Sequence, residues 1–129
     1  MPGPRVLLAD DDPRLVHIVA MYLGMEGFDV VTALDGDRAY ELASSEQFDG
    51  IILDVMMPGA DGFAVCNAIR HNPRTAHLPV LLFTALSATG DVERARAAGA
   101  THMITKPFSL PGLGAVVRAT ITSHALTPT

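Results

Sequence analysis

Carboxylates, a hydroxyl and an ammonium group each follow a short apolar run in this sequence. Asp10 and Asp11 follow RVLLA, Asp54 follows DGIIL, Thr84 follows LPVLLF, and Lys106 follows HMIT. Lys106 is the only lysine, since the other eight basic residues are arginines. If these runs are neighbouring strands, their ends meet at one sheet edge, where a carboxylate beside cations can attack phosphorus.

Clustered carboxylates repel one another, and a divalent cation relieves that repulsion. Oxygen ligands without Cys or His favour Mg²⁺ over zinc, with Mn²⁺ as an alternative ion. We therefore predict that Asp10 and Asp11 bind metal. Asp12 stands directly before Pro13, a pattern typical of a helix cap, so we predict a capping role for it.

A phosphoryl group on a carboxylate needs charge neutralisation at its three oxygens. The metal, the Lys106 ammonium group and the Thr84 hydroxyl would supply one contact each, which favours Asp54 as a phosphoacceptor. No general base is needed, because a carboxylate is already a nucleophile. Taken singly, Asp54 is equally well a buried partner of Lys106, and Thr84 is an ordinary β-branched strand residue.

The elements that must position these groups are visible in the hydrophobic pattern. Continuous runs rich in Val, Ile and Leu predict buried parallel strands at 5–9, 28–32, 49–53, 78–83 and 102–105. Helical spacing predicts helices from Asp12-Pro13 to about Leu23, then at Gly36–Ser45, Gly62–Arg70, Gly90–Ala98 and Ser109–Thr122. Five such units predict an α/β fold with a doubly wound five-stranded parallel sheet, a three-layer α/β/α sandwich.

Composition limits the function classes. The chain has 129 residues, 49% of them hydrophobic, which predicts one domain at 1–122 and a flexible C-terminal tail at 123–129. Its net charge of −5 argues against direct nucleic-acid binding, and no apolar stretch is long enough for a membrane span. The single cysteine, Cys66, excludes an internal disulfide, is predicted to lie in the core, and suits a cytoplasmic protein.

Together these residues resemble the receiver domain of bacterial two-component response regulators, the CheY-like superfamily with a flavodoxin-like fold. The resemblance rests on ADDDP at 9–13, LDVMMPGADG at 53–62, TA at 84–85, GA at 99–100 and TKPF at 105–108. It implies that Asp54 accepts a phosphoryl group from a sensor histidine kinase or a histidine phosphotransfer protein. It further implies four Mg²⁺ ligands: the side chains of Asp10, Asp11 and Asp54, and the backbone carbonyl of Met56.

The resemblance also implies the switch. Thr84 and Lys106 would contact the phosphoryl group, Ala85 would belong to the switching loop, and the bond between Lys106 and Pro107 would be cis. Such a protein catalyses only its own phosphorylation and dephosphorylation. It signals to a downstream effector protein or an output domain, and dimerisation through the fourth helix, fifth strand and fifth helix is an option. The chain is either a single-domain regulator or the receiver part of a longer protein.

Met103, Met56 and Leu86 depart from the family pattern. Met103 occupies the place of the usual aromatic switch residue, which predicts weaker or differently routed coupling to the output face. The equally weighted alternative is that Met103 fills the same cavity in both states. Met56 and Leu86 stand where the family tunes dephosphorylation, and neither can orient a water, so we predict a long-lived phosphoryl group.

Rival interpretations fit less well. A haloacid-dehalogenase-type phosphatase needs a second Asp at position 56, which is Met56 here. A nucleotide-binding domain would have a glycine-rich loop after the first strand, where this chain has ADDDPR. The remaining alternative is a receiver-like interaction module that is never phosphorylated. For kinase docking, the resemblance indicates a surface on the first helix beside Phe108, formed by Arg14, His17, Ile18 and Met21. An ordinary solvated helix face is an almost equally weighted alternative for the polar residues among them.

Overall fold

The computed structural model describes residues 3–85 and 89–126, and within them five strands alternate with five helices. The strands are β1 (Arg5–Ala9), β2 (Asp29–Ala33), β3 (Gly50–Asp54), β4 (Val80–Thr84) and β5 (His102–Thr105). The helices are α1 (Pro13–Met25), α2 (Gly36–Ser45), α3 (Gly62–His71), α4 (Thr89–Ala98) and α5 (Leu110–Leu126). The predicted element types and their order are confirmed.

The sheet is parallel throughout, with strand order β2-β1-β3-β4-β5. The chain therefore moves outward from β1 to β2 and then crosses back to β3 on the other side of β1. Such a reversal leaves a crevice outside the carboxyl ends of the two strands, where ligands bind in open α/β sheets. Asp10 and Asp54 lie at these ends of β1 and β3.

Both faces of the sheet are covered, as the continuous apolar runs predict. Leu7 and Ala9 of β1 join a buried cluster with side chains of α2, α3 and α4. Val6 and Leu8 point the other way, into a cluster formed with α1 and α5. Each buried leucine contributes roughly 1.5–3 kcal/mol to folding. The three-layer α/β/α sandwich is therefore confirmed, and the paired layers fix the strand ends relative to one another.

Two strands end one residue later than predicted. Asp54 is the last residue of β3 and pairs with Phe83, and Thr84 is the last residue of β4 and pairs with Thr105. The ladder continues because it depends on backbone groups, and Val55 N–H still donates to the Phe83 carbonyl at 2.9 Å. Backbone pairing therefore extends through the polar residue at the end of each of these two strands. Likewise β2 is shifted by one residue from the predicted 28–32.

The last helix also differs from its predicted range. Ser109 precedes α5 as a cap, since its hydroxyl accepts from Gly112 N–H at 3.0 Å. The helix then continues to Leu126, beyond the predicted end at Thr122, and the predicted flexible tail at 123–129 stays a prediction. The remaining tail residues, 127–129, lie outside the described residues. Within the described part of the chain, no helix combines the length and apolar character needed to cross a membrane.

Cys66 lies in the core as predicted. It is fully buried on α3, and its thiol donates to the Ala98 carbonyl at 3.3 Å. Burial raises the pKa of the thiol to about 11, although the nearby Arg70 acts in the opposite direction. Because the thiolate is the reactive form, this cysteine is a packing residue.

Candidate functional site

Three carboxylates converge at the crevice between β1 and β3. One carboxylate oxygen from each of Asp10, Asp11 and Asp54 lies within 4.8 Å of the others. Asp10 is 1% exposed and Asp54 5% exposed, whereas Asp11 is open to solvent. The adjacent parallel strands β1 and β3 bring these residues together, because the register aligns Ala9 with Leu53, one residue before each buried carboxylate.

Lys106 reaches into the same cluster from the end of β5. Its Nζ lies 2.9 Å from Asp10 Oδ2 and 3.1 Å from Asp54 Oδ1. The backbone N–H of Lys106 donates to the Thr84 carbonyl at 2.6 Å, which ties the start of this loop to β4. The peptide bond between Lys106 and Pro107 is cis, as the resemblance implies. The only ammonium side chain of the protein thus bridges two buried carboxylates.

The electrostatics of the site favour a further cation. Burial raises the pKa of the Asp54 carboxyl above its usual range, and the charge of Asp10 adds to this effect; Lys106 acts against both without cancelling them. Burial by itself would lower the pKa of Lys106, but its contacts with Asp10 and Asp54 outweigh burial and raise it. Lys106 therefore stays charged, and one ammonium group does not fully compensate the buried carboxylates.

The donor set fits Mg²⁺. All three side chains offer oxygen, which hard divalent cations prefer, and Asp11 leaves the cluster open to water on one side. The cluster contains neither His nor Cys, the usual ligands of zinc. A divalent cation would also offset the desolvation that raises the Asp54 pKa.

Asp12 has the capping role predicted for it. Its side chain accepts hydrogen bonds from Arg14 N–H at 3.0 Å and Leu15 N–H at 3.4 Å, at the start of α1. Its own N–H donates to Asp10 Oδ1 at 3.0 Å. The cap therefore orients the neighbouring carboxylate as well as beginning the helix.

The loop after β3 is held by a close backbone approach. Gly62, the first residue of α3, donates its N–H to the Val55 carbonyl at 3.0 Å. A Cβ at position 62 would lie only 2.4 Å from the Asp54 carbonyl oxygen, so only glycine fits. This contact folds the loop that carries Met56 back over the end of β3. The Met56 side chain is 72% exposed, and the metal-binding role of its carbonyl stays a prediction.

Thr84 has a partner that sequence reasoning missed. Its side chain is 2% exposed, and its Oγ1 donates to Asp91 Oδ2 at 3.0 Å. Asp91 lies in the first turn of α4. The available signal was an acidic residue at the start of the helix that follows a strand-end threonine. Ala85 follows Thr84 and is exposed.

Of the residues that depart from the family pattern, the structure describes Met103 but not Leu86. Met103 is half-buried on β5, pairs in register with Leu82, and packs against the cluster that contains α3 and α4. Its proposed effect on coupling stays a prediction. Leu86 lies outside the described residues, so the predicted long-lived phosphoryl group also stays a prediction.

The fold and the site together define a doubly wound α/β domain with an acidic, lysine-bridged pocket at its topological switch point. A sequence profile of the response regulator receiver domain matches residues 6–118. The chain is 44% identical over 116 residues to the DNA-binding dual master transcriptional regulator RpaA of Synechocystis, covering 90% of this chain and 48% of RpaA. It spans about a quarter to a half of the length of the first curated relatives it matches.

Solved structures give the same assignment. Vibrio cholerae chemotaxis protein CheY4 superposes with a TM-score of 0.87 at 31% identity, covering 92% of this chain and 98% of that one. The receiver domain of sensor histidine kinase PA1611 from Pseudomonas aeruginosa PAO1, with magnesium in its active-site cleft, has a TM-score of 0.86 at 28% identity. The match covers 93% of this chain and 98% of the PA1611 receiver domain.

The chain therefore belongs to the response regulator receiver domain family, and its function is that of a receiver in two-component phosphorelay signalling. Domains of this family are phosphoacceptors rather than enzymes with a separate substrate, and they bind Mg²⁺ at an acidic pocket. The alternative of a module that is never phosphorylated is not favoured.

Proposed function

We propose that Asp54 is the phosphoacceptor of this receiver. In the proposed reaction an oxygen of the Asp54 carboxylate attacks the phosphorus of a phosphohistidine. An O–P bond forms, the N–P bond breaks, and the leaving histidine nitrogen keeps the electron pair and takes up a proton. The observation that carries the proposal is the placement of Lys106 Nζ at 3.1 Å from Asp54 Oδ1, inside a cluster of three carboxylates.

The chain's own residues would supply two of the phosphoryl contacts. Lys106 is held at the cluster by its pairs with Asp10 and Asp54 and would neutralise charge on one phosphoryl oxygen. Thr84, at the end of β4, would donate its hydroxyl to a second oxygen. These residues would give the chain the catalysis of its own phosphorylation and dephosphorylation, with no other substrate.

Mg²⁺ is the proposed cofactor, with Mn²⁺ as an alternative. Asp10, Asp11, Asp54 and the Met56 carbonyl would hold it. When bound, the ion would neutralise charge on the transferred phosphoryl group. Asp10 also keeps a hydrogen bond from Asp12 N–H, which orients its carboxylate toward the cluster.

The proposed phosphodonor is a sensor histidine kinase or a histidine phosphotransfer protein. An apolar surface beside the site supports such docking: Leu15 and Ile18 of α1 line a groove with Lys106, Pro107 and Phe108. Ile18 is 51% exposed and extends this apolar groove to the surface, and contiguous apolar surface marks protein interaction sites. The reactive carboxylate would thus lie next to the surface that receives the donor.

The proposed output is a change of conformation that acts on a downstream effector or an output domain, and dimerisation through α4, β5 and α5 is an option. A phosphoryl group adds about 1.5–2 negative charges and strong acceptor oxygens. Charge-assisted hydrogen bonds to it are worth roughly 1.5–3 kcal/mol each, enough to shift a two-state loop. Direct contact with nucleic acid or membrane is not part of the proposal, and a cytoplasmic location stays a prediction.

The test is phosphorylation by a small-molecule donor. The protein is incubated with acetyl phosphate and Mg²⁺ and its intact mass is measured, together with Asp54→Asn and with Asp29→Asn, a control at the opposite end of the sheet. Wild type and Asp29→Asn should gain the mass of one phosphoryl group, whereas Asp54→Asn should not. Equal phosphorylation of Asp54→Asn and wild type would overturn the assignment.

A further inference from the structure

The hydrogen bond between Thr84 and Asp91 joins the end of β4 to the first turn of α4. A carboxylate only accepts hydrogen bonds, so the Thr84 hydroxyl is the donor over the 3.0 Å distance. Thr84 is almost completely buried and Asp91 is half-buried, so water competes for this bond only from the side of Asp91. The proposed phosphoryl-binding hydroxyl is thus already directed at an acidic side chain.

A hydroxyl carries one proton, so donation to Asp91 and donation to a phosphoryl oxygen are alternatives. Two anionic acceptors therefore compete for Thr84. Before phosphorylation Asp91 holds it, and phosphorylation of Asp54 would introduce the second acceptor with more negative charge. The same charge would repel the Asp91 carboxylate, which favours the exchange.

The rest of α4 is weakly anchored, so this bond matters to its position. Among the described side chains of α4, the buried ones are Ala95 and Ala98, which are small. Arg94 lies over the Phe63 ring at 4.2 Å and pairs loosely with Asp61 at 3.8 Å, which ties α4 to α3 rather than to the sheet. The Asp91 bond is a separate, polar tie from α4 to β4.

We infer that Asp91 is a positioning residue that holds the Thr84 hydroxyl in the unphosphorylated protein and gives it up when Asp54 is phosphorylated. When Thr84 donates to the phosphoryl oxygen instead of to Asp91, the first turn of α4 loses this hydrogen bond to β4. Asp91 thereby lowers the affinity of the site for a phosphoryl group and couples that group to α4. This inference rests on the proposed role of Asp54.

The test measures the affinity for beryllofluoride, a phosphoryl mimic, in the presence of Mg²⁺. The chain contains no tryptophan, so isothermal titration calorimetry is the suitable readout. Asp91→Ala should lower the Kd about fivefold, since a partly exposed charged hydrogen bond of about 1 kcal/mol corresponds to this factor. Asp91→Asn keeps a neutral acceptor and should lie between wild type and Asp91→Ala. Glu93→Ala removes an exposed charge from the same helix and should leave the Kd unchanged.

A double-mutant cycle separates this role from a structural one. In a Thr84→Ala background, Asp91→Ala should lose most of its effect, because the hydroxyl for which Asp91 competes is gone. An equal fold-change in both backgrounds, or a Kd that Asp91→Ala leaves unchanged or raises, would overturn the inference. Circular dichroism of each variant checks folding, and Asp91→Asn serves as the readout if Asp91→Ala does not fold.

Different results would overturn the proposed role of Asp54 and the inference about Asp91. If wild type takes up a phosphoryl group from acetyl phosphate and binds beryllofluoride, but the Asp91 variants behave like Glu93→Ala, only the Asp91 inference is wrong. If wild type does neither in the presence of Mg²⁺, the proposed role of Asp54 is wrong and the Asp91 inference is overturned with it.

Discussion

Lys106→Met removes the cation that bridges two buried carboxylates while keeping a side chain of similar length. Asp10 and Asp54 are 1% and 5% exposed, and the Lys106 side chain is only 23% exposed. Removing one partner of a buried pair costs about 3–5 kcal/mol. Because Lys106 keeps some contact with water, we expect a loss of about 2–3 kcal/mol in the free energy of unfolding at neutral pH.

The pH dependence of this loss follows from the pKa of Asp54. Burial and Asp10 raise that pKa in the folded state, so the folded protein binds the proton more tightly than the unfolded chain does. The contribution of Asp54 to stability is therefore largest at low pH and falls as the pH rises from about 3.9 through the higher folded-state pKa. Without Lys106 the pKa rises further, so the variant should approach wild type near pH 4 and fall behind it towards pH 7.

Urea denaturation in EDTA, at several pH values, measures this difference. The matched control is Arg38→Met, which removes a pair with Glu41 in which both side chains are more than half exposed. That control should lose at most about 0.5 kcal/mol. A Lys106→Met loss as small as the control's, or one that is the same at pH 4 and pH 7, would refute the electrostatic reasoning. Added Mg²⁺ should restore part of the lost stability.

Three further outcomes are expected. Asp12→Ala should lose about 1 kcal/mol in the free energy of unfolding through the lost cap of α1, yet keep its Mg²⁺ affinity. Asp11→Ala should weaken Mg²⁺ binding at little cost in stability. Urea denaturation measures the stability of both variants, and calorimetry measures their Mg²⁺ affinity. Arg70→Met should cost about 2–3 kcal/mol in urea denaturation, because its guanidinium donates to the Gly99 and Leu78 carbonyls. The phosphoryl group should outlast minutes by intact mass, because Met56 cannot orient a water, and hydrolysis within seconds would contradict this.

Much of the site was predictable because it lies at strand ends. In a parallel sheet the carboxyl ends of neighbouring strands share an edge, so the residues after each apolar run had to converge there. The structure accordingly brings Asp10, Asp11, Asp54 and Lys106 together. Periodicity located the strands to within one or two residues and gave the last residue of β1 and β5, but it ended β3 and β4 one residue early because backbone pairing continues through a polar side chain.

The parts that sequence reasoning missed depend on tertiary placement. The partner of Thr84 is set by where α4 packs against the sheet, and the acidic residue in the first turn of that helix does not by itself establish the contact. Thr101 is similar: its Oγ1 accepts hydrogen bonds from Val80 N–H at 3.0 Å and from Arg70 Nη2 at 3.2 Å, which gives this position a structural role. The two Thr101 contacts join residues more than twenty positions apart, beyond the reach of helical or strand periodicity.

The central claim is that Asp54, and neither of the neighbouring carboxylates, carries the phosphoryl group. The most direct test is to phosphorylate the protein with acetyl phosphate and Mg²⁺, reduce it with borohydride, and map the product by peptide mass spectrometry. Borohydride converts an aspartyl phosphate to homoserine, so we expect homoserine at position 54 alone. Homoserine at position 10 or 11, or an unmodified Asp54 in protein that has gained a phosphoryl group, would contradict it.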